Sequence, residues 1–112
     1  MKLITAILKP DVVDDVVPAV TEAGAHGLTA TEVIGFGQQA GHGKAVNSTG
    51  YPAVLLPKIR LDVAVKDEDA ERVVEAIAKC ANTGTIGDGK IWLSTLDGVL
   101  RVRTGERDDA AL

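Results

Sequence analysis

The residues best suited to bind an anion lie in segment 83–90, which reads TGTIGDGK. Gly84, Gly89 and Lys90 have the spacing of a phosphate-binding P-loop, but Ile91 occupies the position where that motif needs Ser or Thr. A P-loop also runs from a strand into a helix N-terminus, whereas this segment leaves a predicted helix and enters a predicted strand. The sequence therefore disfavours a P-loop nucleotidase, although glycine N–H groups and the Lys90 ammonium can still hold phosphate oxygens.

Two arginines, Arg101 and Arg103, follow at alternate positions in a stretch over residues 99–103 whose pattern predicts a short strand. Side chains two residues apart on a strand share a face, so both guanidinium groups are expected to point the same way. Together with segment 83–90 they can bind a polyphosphate if the elements lie close together. The alternative is that the glycines only form a tight turn and the arginines a solvated edge.

Other reactive side chains form no recognisable catalytic or metal-binding pattern. His26, His42 and Cys80 lack paired ligand spacing, and Cys80 lies on the apolar stripe of a predicted helix. Asp62 is the one candidate general base, because it shares a predicted strand face with Lys58. A binding protein without catalytic activity is therefore favoured, and a slow nucleotide hydrolase that uses Asp62 is the alternative.

The composition predicts one domain over residues 1–112 and limits what it can bind. A formal net charge of −4 opposes general binding to nucleic acid or to an anionic membrane, and the chain has only one Phe, one Tyr and one Trp. One cysteine cannot form an intrachain disulfide, and no apolar run is long enough to insert into a bilayer. We therefore expect a cytoplasmic protein that binds neither nucleic acid nor the membrane interior.

Hydrophobic periodicity predicts strands over residues 2–9, 28–36, 58–65 and 90–96, and helices over residues 11–24 and from 67 to just before Gly84. Pro18 would break a helix that began at Asp11, so we expect a late start, with Asp14 or Asp15 as the N-cap, or a kink. A Gly-rich segment over residues 37–57 separates the second and third strands, and segments of this length are usually functional or disordered. Residues 104–112 form a C-terminal tail that is expected to be mobile or to need a partner.

This order of elements predicts an α+β fold of the ferredoxin-like type, a βαββαβ sandwich with both helices on one face of an antiparallel sheet. The second face of the sheet then needs a cover. Packing between identical subunits is the simplest way to shield it, and closed symmetry is the usual outcome. The sequence therefore predicts a homo-oligomer.

The chain resembles the PII family of nitrogen-regulatory signal-transduction proteins. That family has the signature T-G-x-I-G-D-G-K followed by R-x-R-T-G-E, and residues 83–90 and 101–106 match both motifs in the same order. The Lys9-Pro10 pair at the end of the first strand and the run over residues 31–37 are also similar to the family. The likeness covers nearly the whole chain except the long loop, and it implies a homotrimer.

The resemblance implies an ATP or ADP site in a cleft between neighbouring subunits. The nucleotide-binding residues that it implies are Ile7, Thr29, Gly35, Phe36, Gly37, Gln38, Ile86, Gly87, Gly89, Lys90, Arg101 and Arg103. The family also binds 2-oxoglutarate beside Mg-ATP, and Gln39 and Lys58 stand at the positions that it uses. An amide oxygen of Gln39 suits Mg²⁺ as a ligand, and a Lys58 ammonium suits the far carboxylate of the diacid.

The resemblance also makes residues 37–57 the loop that contacts protein partners. This loop departs from the family pattern, with Gln38 and Ala40 at usually basic positions, whereas Tyr51 keeps the place of the modified tyrosine. Uridylylation or adenylylation of Tyr51 is therefore a candidate modification in an altered context. The implied target is a protein, such as a membrane transporter or an enzyme or regulator of nitrogen metabolism.

Two alternative hypotheses of function remain. The first is an energy-sensing relative that binds nucleotide, does not respond to 2-oxoglutarate and has a different target. The second is a metal-responsive trimer similar to the copper-tolerance proteins of the same architecture, which the sparse metal ligands disfavour.

Overall fold

The computed structural model describes residues 1–36 and 55–112. Its main elements follow the predicted order, βαββαβ. They are β1 (Lys2–Leu8), α1 (Val13–Glu22), β2 (Thr29–Gly35), β3 (Leu56–Val65), α2 (Asp67–Ala81) and β4 (Lys90–Thr95). Gly37, Gln38, Gln39, Tyr51 and most of the long loop lie outside the described residues.

The four strands form one sheet in the order β2-β3-β1-β4, and every neighbouring pair is antiparallel. In the register of β1 with β4, Ile7 lies opposite Lys90 at one end and Lys2 opposite Thr95 at the other. With two helices connecting the strands, this topology confirms the predicted ferredoxin-like α+β fold. It also fixes which loops meet at each end of the sheet.

The hydrophobic core lies between one sheet face and the two helices. The alternation of β3 places Leu61, Val63 and Val65 inside, as predicted, and β1 contributes Ile4 and Leu8 in the same way. The helices contribute the apolar residues Val16, Val20, Ala70, Val73, Ile77 and Ala81, and the turn before the first helix contributes Val12. Each fully buried aliphatic side chain of this kind stabilises the fold by about 1.5–3 kcal/mol relative to leaving it in water.

The start of α1 differs from the prediction. A 3₁₀ turn over Pro10–Val12 leads directly into α1 at Val13, so Pro18 lies inside the helix, past its first turn. The predicted late start is therefore wrong. Pro18 and Asp14 are exposed, which allows water to hydrate the Asp14 carbonyl that Pro18 cannot bond, while Val16 and Val20 remain buried in the core.

The segment after β4 also differs from the prediction. Residues 99–103 do not form a strand; Leu100 and Arg107 make one antiparallel bridge, and the chain turns at residues 102–104. The turn is closed by the Gly105 N–H, which donates to the Arg101 carbonyl at 2.8 Å. The apolar positions Leu100 and Val102 suggested a strand, but neither packs in the core, because they are 50% and 93% exposed.

The C-terminal tail has a defined conformation instead of the expected mobile one. Asp108–Ala111 form a short 3₁₀ turn. The Leu112 carbonyl accepts a hydrogen bond from Nη2 of Arg101 at 3.0 Å and lies 2.9 Å from Nδ1 of His26. These contacts connect the tail to the turn that follows β4 and to the segment between α1 and β2.

Candidate ligand-binding cavity

A cavity of about 550 Å³ lies at one end of the sheet, where β1 and β2 end and where β3 and β4 begin. Because all neighbouring strands are antiparallel, these four ends come together, although they are far apart in sequence. The cavity is lined by Ile7, Gly35, Phe36, Lys58, Thr85, Ile86, Gly87, Asp88, Gly89, Lys90 and Trp92. Segment 83–90 therefore forms one wall, and strand residues form the rest.

Three glycines give segment 83–90 a backbone shape that other residues rarely adopt. Gly84, Gly87 and Gly89 have φ angles of +77°, +96° and +101°. A Cβ atom on Gly89 would lie 1.7 Å from the Ile7 carbonyl oxygen, so only glycine lets the loop approach β1 this closely. The spacing of glycines that suggested a phosphate loop therefore has a structural reason in this chain.

The carboxylate of Asp88 holds the loop closed. It accepts hydrogen bonds from the backbone N–H groups of Thr83 at 2.8 Å and Gly84 at 3.0 Å, and from the Thr83 hydroxyl. The Lys9 ammonium lies 3.1 Å from the same carboxylate and donates to the Thr85 hydroxyl at 2.6 Å. The Thr83 hydroxyl, with the Lys9 and backbone donors, holds the pKa of Asp88 far below its usual range.

Two lysines bring positive charge to the cavity. The Lys58 ammonium donates to the Gly87 carbonyl at 2.9 Å and so connects β3 with the loop. Lys90 begins β4 and points away from the core, on the same strand face as Trp92, because Ile91 between them packs toward the core. An anionic group in the cavity would therefore meet cationic side chains beside glycines that have no side chains to block it.

Most of the residues that the sequence implicated for ligand binding meet in this cavity. Those are Ile7, Gly35, Phe36, Lys58, Ile86, Gly87, Gly89 and Lys90. Thr29 does not line it, because β2 begins at Thr29 and reaches the cavity only at its other end, Gly35. Gly37, Gln38 and Gln39, together with the candidate modification site Tyr51, lie outside the described residues.

Arg101 and Arg103 do not reach the cavity of their own chain. Neither arginine lines the cavity. They follow the Thr95 end of β4, whereas the cavity lies at the Lys90 end, and these two ends of the strand are about 17 Å apart. Arg101 contacts the Glu106 carboxylate at 3.3 Å, and Arg103 lies in the turn at residues 102–104. The closeness that joint phosphate binding by the arginines and segment 83–90 requires is therefore not met within one chain, and their proposed joint role depends on the intersubunit cleft that the family resemblance implies.

Sequence reasoning missed several side chains around the cavity. The sequence indicates Lys9 only as the end of a strand and Trp92 only as an aromatic residue. It gives Asp88 and Thr85 only as positions in the glycine-rich motif. Thr83 and Asp88, five residues apart in a Gly-rich turn, were a readable signal, because Thr and Asp side chains often hydrogen-bond to nearby backbone groups. The Lys9 contact joins residues 79 positions apart, so no local pattern could have indicated it.

The carboxylate of Asp62, the candidate general base, already accepts hydrogen bonds from two other side chains. Its carboxylate accepts from Nε of Arg60 at 2.9 Å and from the Thr5 hydroxyl at 2.8 Å. The hydrogen bond from Arg60 lowers the pKa of Asp62, and Asp62 does not line the cavity. A carboxylate held in this way is a poor base for activating water.

Residues 1–36 and 55–112 contain no group of three His, Cys, Asp or Glu side chains arranged to hold a metal ion. Among the helices in those two ranges, none combines the length and the apolar character needed to cross a membrane.

Comparison with known proteins identifies relatives along the full chain. A family model described as nitrogen regulatory protein P-II matches residues 1–106. The nitrogen regulatory protein GlnK of Escherichia coli K12 is 47% identical over 112 residues, which is 100% of both chains. A nitrogen regulatory protein P-II of Rhizobium etli is 48% identical, and nitrogen regulatory protein P-II 1 of Escherichia coli K12 is 46% identical, each over 100% of both chains.

Proposed function

The chain belongs to the nitrogen regulatory protein P-II family, and from this premise we propose that it senses ATP or ADP. The nucleotide would bind in the cavity that segment 83–90 and the nearby strand ends form. The observation that carries this proposal is the meeting of Ile7, Phe36, Lys58, Lys90 and the glycine loop around one space of about 550 Å³. Small-molecule sites are typically about 300–1,000 Å³ and are mainly apolar with a few directed polar groups. This cavity has that character.

The chemistry of the wall suggests how a nucleotide would lie. The polyphosphate would face Gly87, Gly89 and Lys90, where backbone N–H groups and an ammonium are available. The adenosine would face Ile7 and Phe36, which offer apolar surface at the ends of β1 and β2.

A second subunit would complete this site. Arg101 and Arg103 follow the end of β4 that is opposite the cavity and do not line the cavity of their own chain, so we infer that they would contact phosphate bound to a neighbouring copy. A contact of one end of a chain with the opposite end of the next is heterologous, and heterologous contacts form a ring when the rotation between copies closes. A homotrimer with three intersubunit clefts therefore fits both the family and this separation.

Mg²⁺ and 2-oxoglutarate are the proposed further ligands. Lys58 already contacts Gly87 at the wall of the cavity, so a diacid there would meet its ammonium beside the phosphates. Gln39, the proposed Mg²⁺ ligand, lies outside the described residues. Ligands that bind different conformations of segment 37–57 with different affinity would shift the populations of that segment and so signal to a protein target.

The proposed role is regulatory rather than enzymatic. The relatives bear names of regulatory proteins, and the one candidate base, Asp62, is engaged by Arg60 and Thr5. The proposed targets are proteins of nitrogen metabolism or transport reached through residues 37–57. The proposed compartment is the cytoplasm, which suits the free thiol of Cys80.

Calorimetric titration of ATP and ADP in the presence of Mg²⁺, followed by 2-oxoglutarate into the nucleotide-saturated protein, tests the proposal. We expect nucleotide binding with a stoichiometry of one per chain, and 2-oxoglutarate binding that depends on Mg-ATP. Nucleotide binding without a 2-oxoglutarate response would favour the energy-sensing alternative. Absence of nucleotide binding by a folded oligomer would contradict the central proposal.

Measurement of phosphate release over hours, with Asp62→Ala as the matched variant, tests the slow hydrolase separately. We expect no sustained release from either protein. Sustained release that Asp62→Ala abolishes would instead make the chain an enzyme.

A further inference from the structure

Lys9 and Asp88 form an ion pair across the base of segment 83–90. The Lys9 ammonium lies 3.1 Å from the Asp88 carboxylate, and the two side chains are only 21% and 23% exposed. Lys9 also lies 2.6 Å from the Thr85 hydroxyl and 3.4 Å from the Thr83 hydroxyl as a donor, so it contacts the loop at three points. Asp88 in turn holds the N–H groups of Thr83 and Gly84.

The position of this pair has an electrostatic consequence. Asp88 lies between Gly87 and Gly89 and lines the cavity, so it places a negative charge beside the backbone proposed to face phosphate. Its strongly lowered pKa keeps it ionised at neutral pH. Without Lys9, the charge on Asp88 would repel a polyphosphate in the cavity, and half-buried charges are screened less than exposed ones.

We propose that Lys9 is a positioning residue for ligand binding, which neutralises Asp88 and holds segment 83–90 in the conformation that accepts a polyphosphate. This inference rests on the proposed nucleotide site. It adds a residue that does not line the cavity and that would act through Asp88 and Thr85 rather than by touching the ligand.

The role predicts a loss of affinity that grows with the number of phosphates. Lys9→Met keeps most of the side-chain length but removes the charge, so ATP affinity should fall about tenfold, ADP affinity less, and AMP affinity least. Affinities for the three nucleotides are measured by calorimetry at one fixed ionic strength. Equal losses for ATP and AMP would overturn the proposal, because a general distortion of the cavity would weaken all three.

The double variant Lys9→Met/Asp88→Asn tests whether the uncompensated negative charge of Asp88 causes the loss of ATP affinity. Removing the charge of Asp88 should restore part of the ATP affinity lost in Lys9→Met, since Asn keeps an oxygen that can accept from Thr83 and Gly84. Lys9→Arg should retain most of the affinity, because a guanidinium can still pair with the carboxylate. A double variant that binds ATP no better than Lys9→Met would contradict the neutralisation argument.

Lys2→Met is the matched control. Lys2 begins β1, the strand that Lys9 directly follows, and it donates to the Thr95 hydroxyl at 3.0 Å, so it lies at the opposite end of β1 from the loop. Its loss also removes one positive charge, yet should leave the dependence on phosphate number unchanged. Thermal unfolding of each variant confirms that it is folded before affinities are compared.

The wild-type titration separates the two hypotheses. If wild-type protein does not bind ATP, the proposed function fails. If wild-type protein binds ATP and folded Lys9→Met binds all three nucleotides with unchanged affinity, the nucleotide site stands and the role of Lys9 fails.

Discussion

The two segments that carry the P-II motifs, 83–90 and 100–107, lie at opposite ends of β4 and are held in different ways. Segment 83–90 is fixed by its own Asp88 carboxylate and also by two side chains from elsewhere, through Lys9 to Asp88 and Lys58 to Gly87, and it lines a cavity. Segment 100–107 is held mainly by its own backbone, through the Leu100–Arg107 bridge and the turn between them. Val102 at its tip is 93% exposed.

The two motifs that are proposed to bind phosphate therefore do not meet within one chain. The first segment is built into the chain and has a cavity beside it, whereas the second projects away from the core with its arginines and an exposed apolar residue. In the proposed oligomer, the two segments would form the two sides of one interface between copies.

Gly89→Ala and Gly105→Ala should show the largest difference between the segments. Both glycines have positive φ angles, +101° and +74°, but an added Cβ at Gly89 would clash with the Ile7 carbonyl, whereas nothing lies within 4 Å of one at Gly105. We expect Gly89→Ala to lower the free energy of unfolding by about 3 kcal/mol or more, because backbone must move. Gly105→Ala should lower it by about 1 kcal/mol, the penalty for a left-handed residue.

Denaturant unfolding of the two variants and the wild type provides the comparison. Gly89→Ala should also lose ATP binding under conditions where it remains folded. Equal and small destabilisation by both substitutions would show that segment 83–90 does not approach β1 as closely as described.

Mixed oligomers test whether the two segments serve one site from two chains. Lys90→Ala and Arg103→Ala should each weaken ATP binding by roughly 1.5–3 kcal/mol, the range for a hydrogen bond to a charged group. When the two variants are unfolded together and refolded as a one-to-one mixture, about a quarter of the sites should regain both residues. Calorimetry counts these high-affinity sites.

The outcome depends on which chain supplies each residue. If Lys90 and Arg103 served a site within the same chain, mixing would restore no high-affinity sites. Size measurement at dilute concentration is the control, because a stable monomer that binds ATP would contradict the intersubunit cleft altogether.

The sequence predicted the parts of the molecule that follow local rules. The alternation over residues 58–65 indicated β3 and its buried face, and the glycines with Lys90 indicated the cavity wall. The strand predicted over residues 99–103 failed because alternation says nothing about whether a neighbouring strand exists. The predicted late start of α1 failed because the local rule against proline inside a helix takes no account of core packing. Val16 and Val20 are buried in the core on both sides of Pro18, which stabilises the helix despite the missing hydrogen bond.

The missing part of the site has a similar physical cause. Lys9 contacts Asp88 only after β1 and β4 have paired, and such long-range contacts leave no periodic mark in the sequence. The arginine motif was readable, but its distance from the cavity depends on the length and direction of β4. The spacing of the motifs could indicate both segments as candidates for anion binding. It could not show that the two segments lie at opposite ends of β4 in one chain.

Asp62→Asn should have a smaller effect, confined to stability. Arg60 lowers the pKa of Asp62, so the pair stabilises the fold above the ordinary Asp pKa and this contribution is lost as pH falls through the lowered value. At pH 7 the variant should unfold at a slightly lower denaturant midpoint than the wild type, by less than Gly105→Ala. The difference should shrink below about pH 4, where the Asp62 carboxylate of the unfolded chain begins to take up a proton. It should vanish once the pH falls below the lowered pKa of the folded chain. A difference that grows in acid would show that the Arg60 pair is not its source.

Trp92 offers the mildest test, because it reports on the cavity without changing it. It is the only Trp in the chain, is 45% exposed, and lines the cavity two residues after Lys90 on the same strand face. Nucleotide bound near segment 83–90 should therefore change the intensity or wavelength of tryptophan emission, with a midpoint equal to the calorimetric one. Trp92→Phe should abolish the signal while calorimetric ATP binding remains. Emission that stays constant during saturating ATP binding would place the nucleotide away from β4, and would leave the glycines of segment 83–90 as structural elements of a turn that packs on β1.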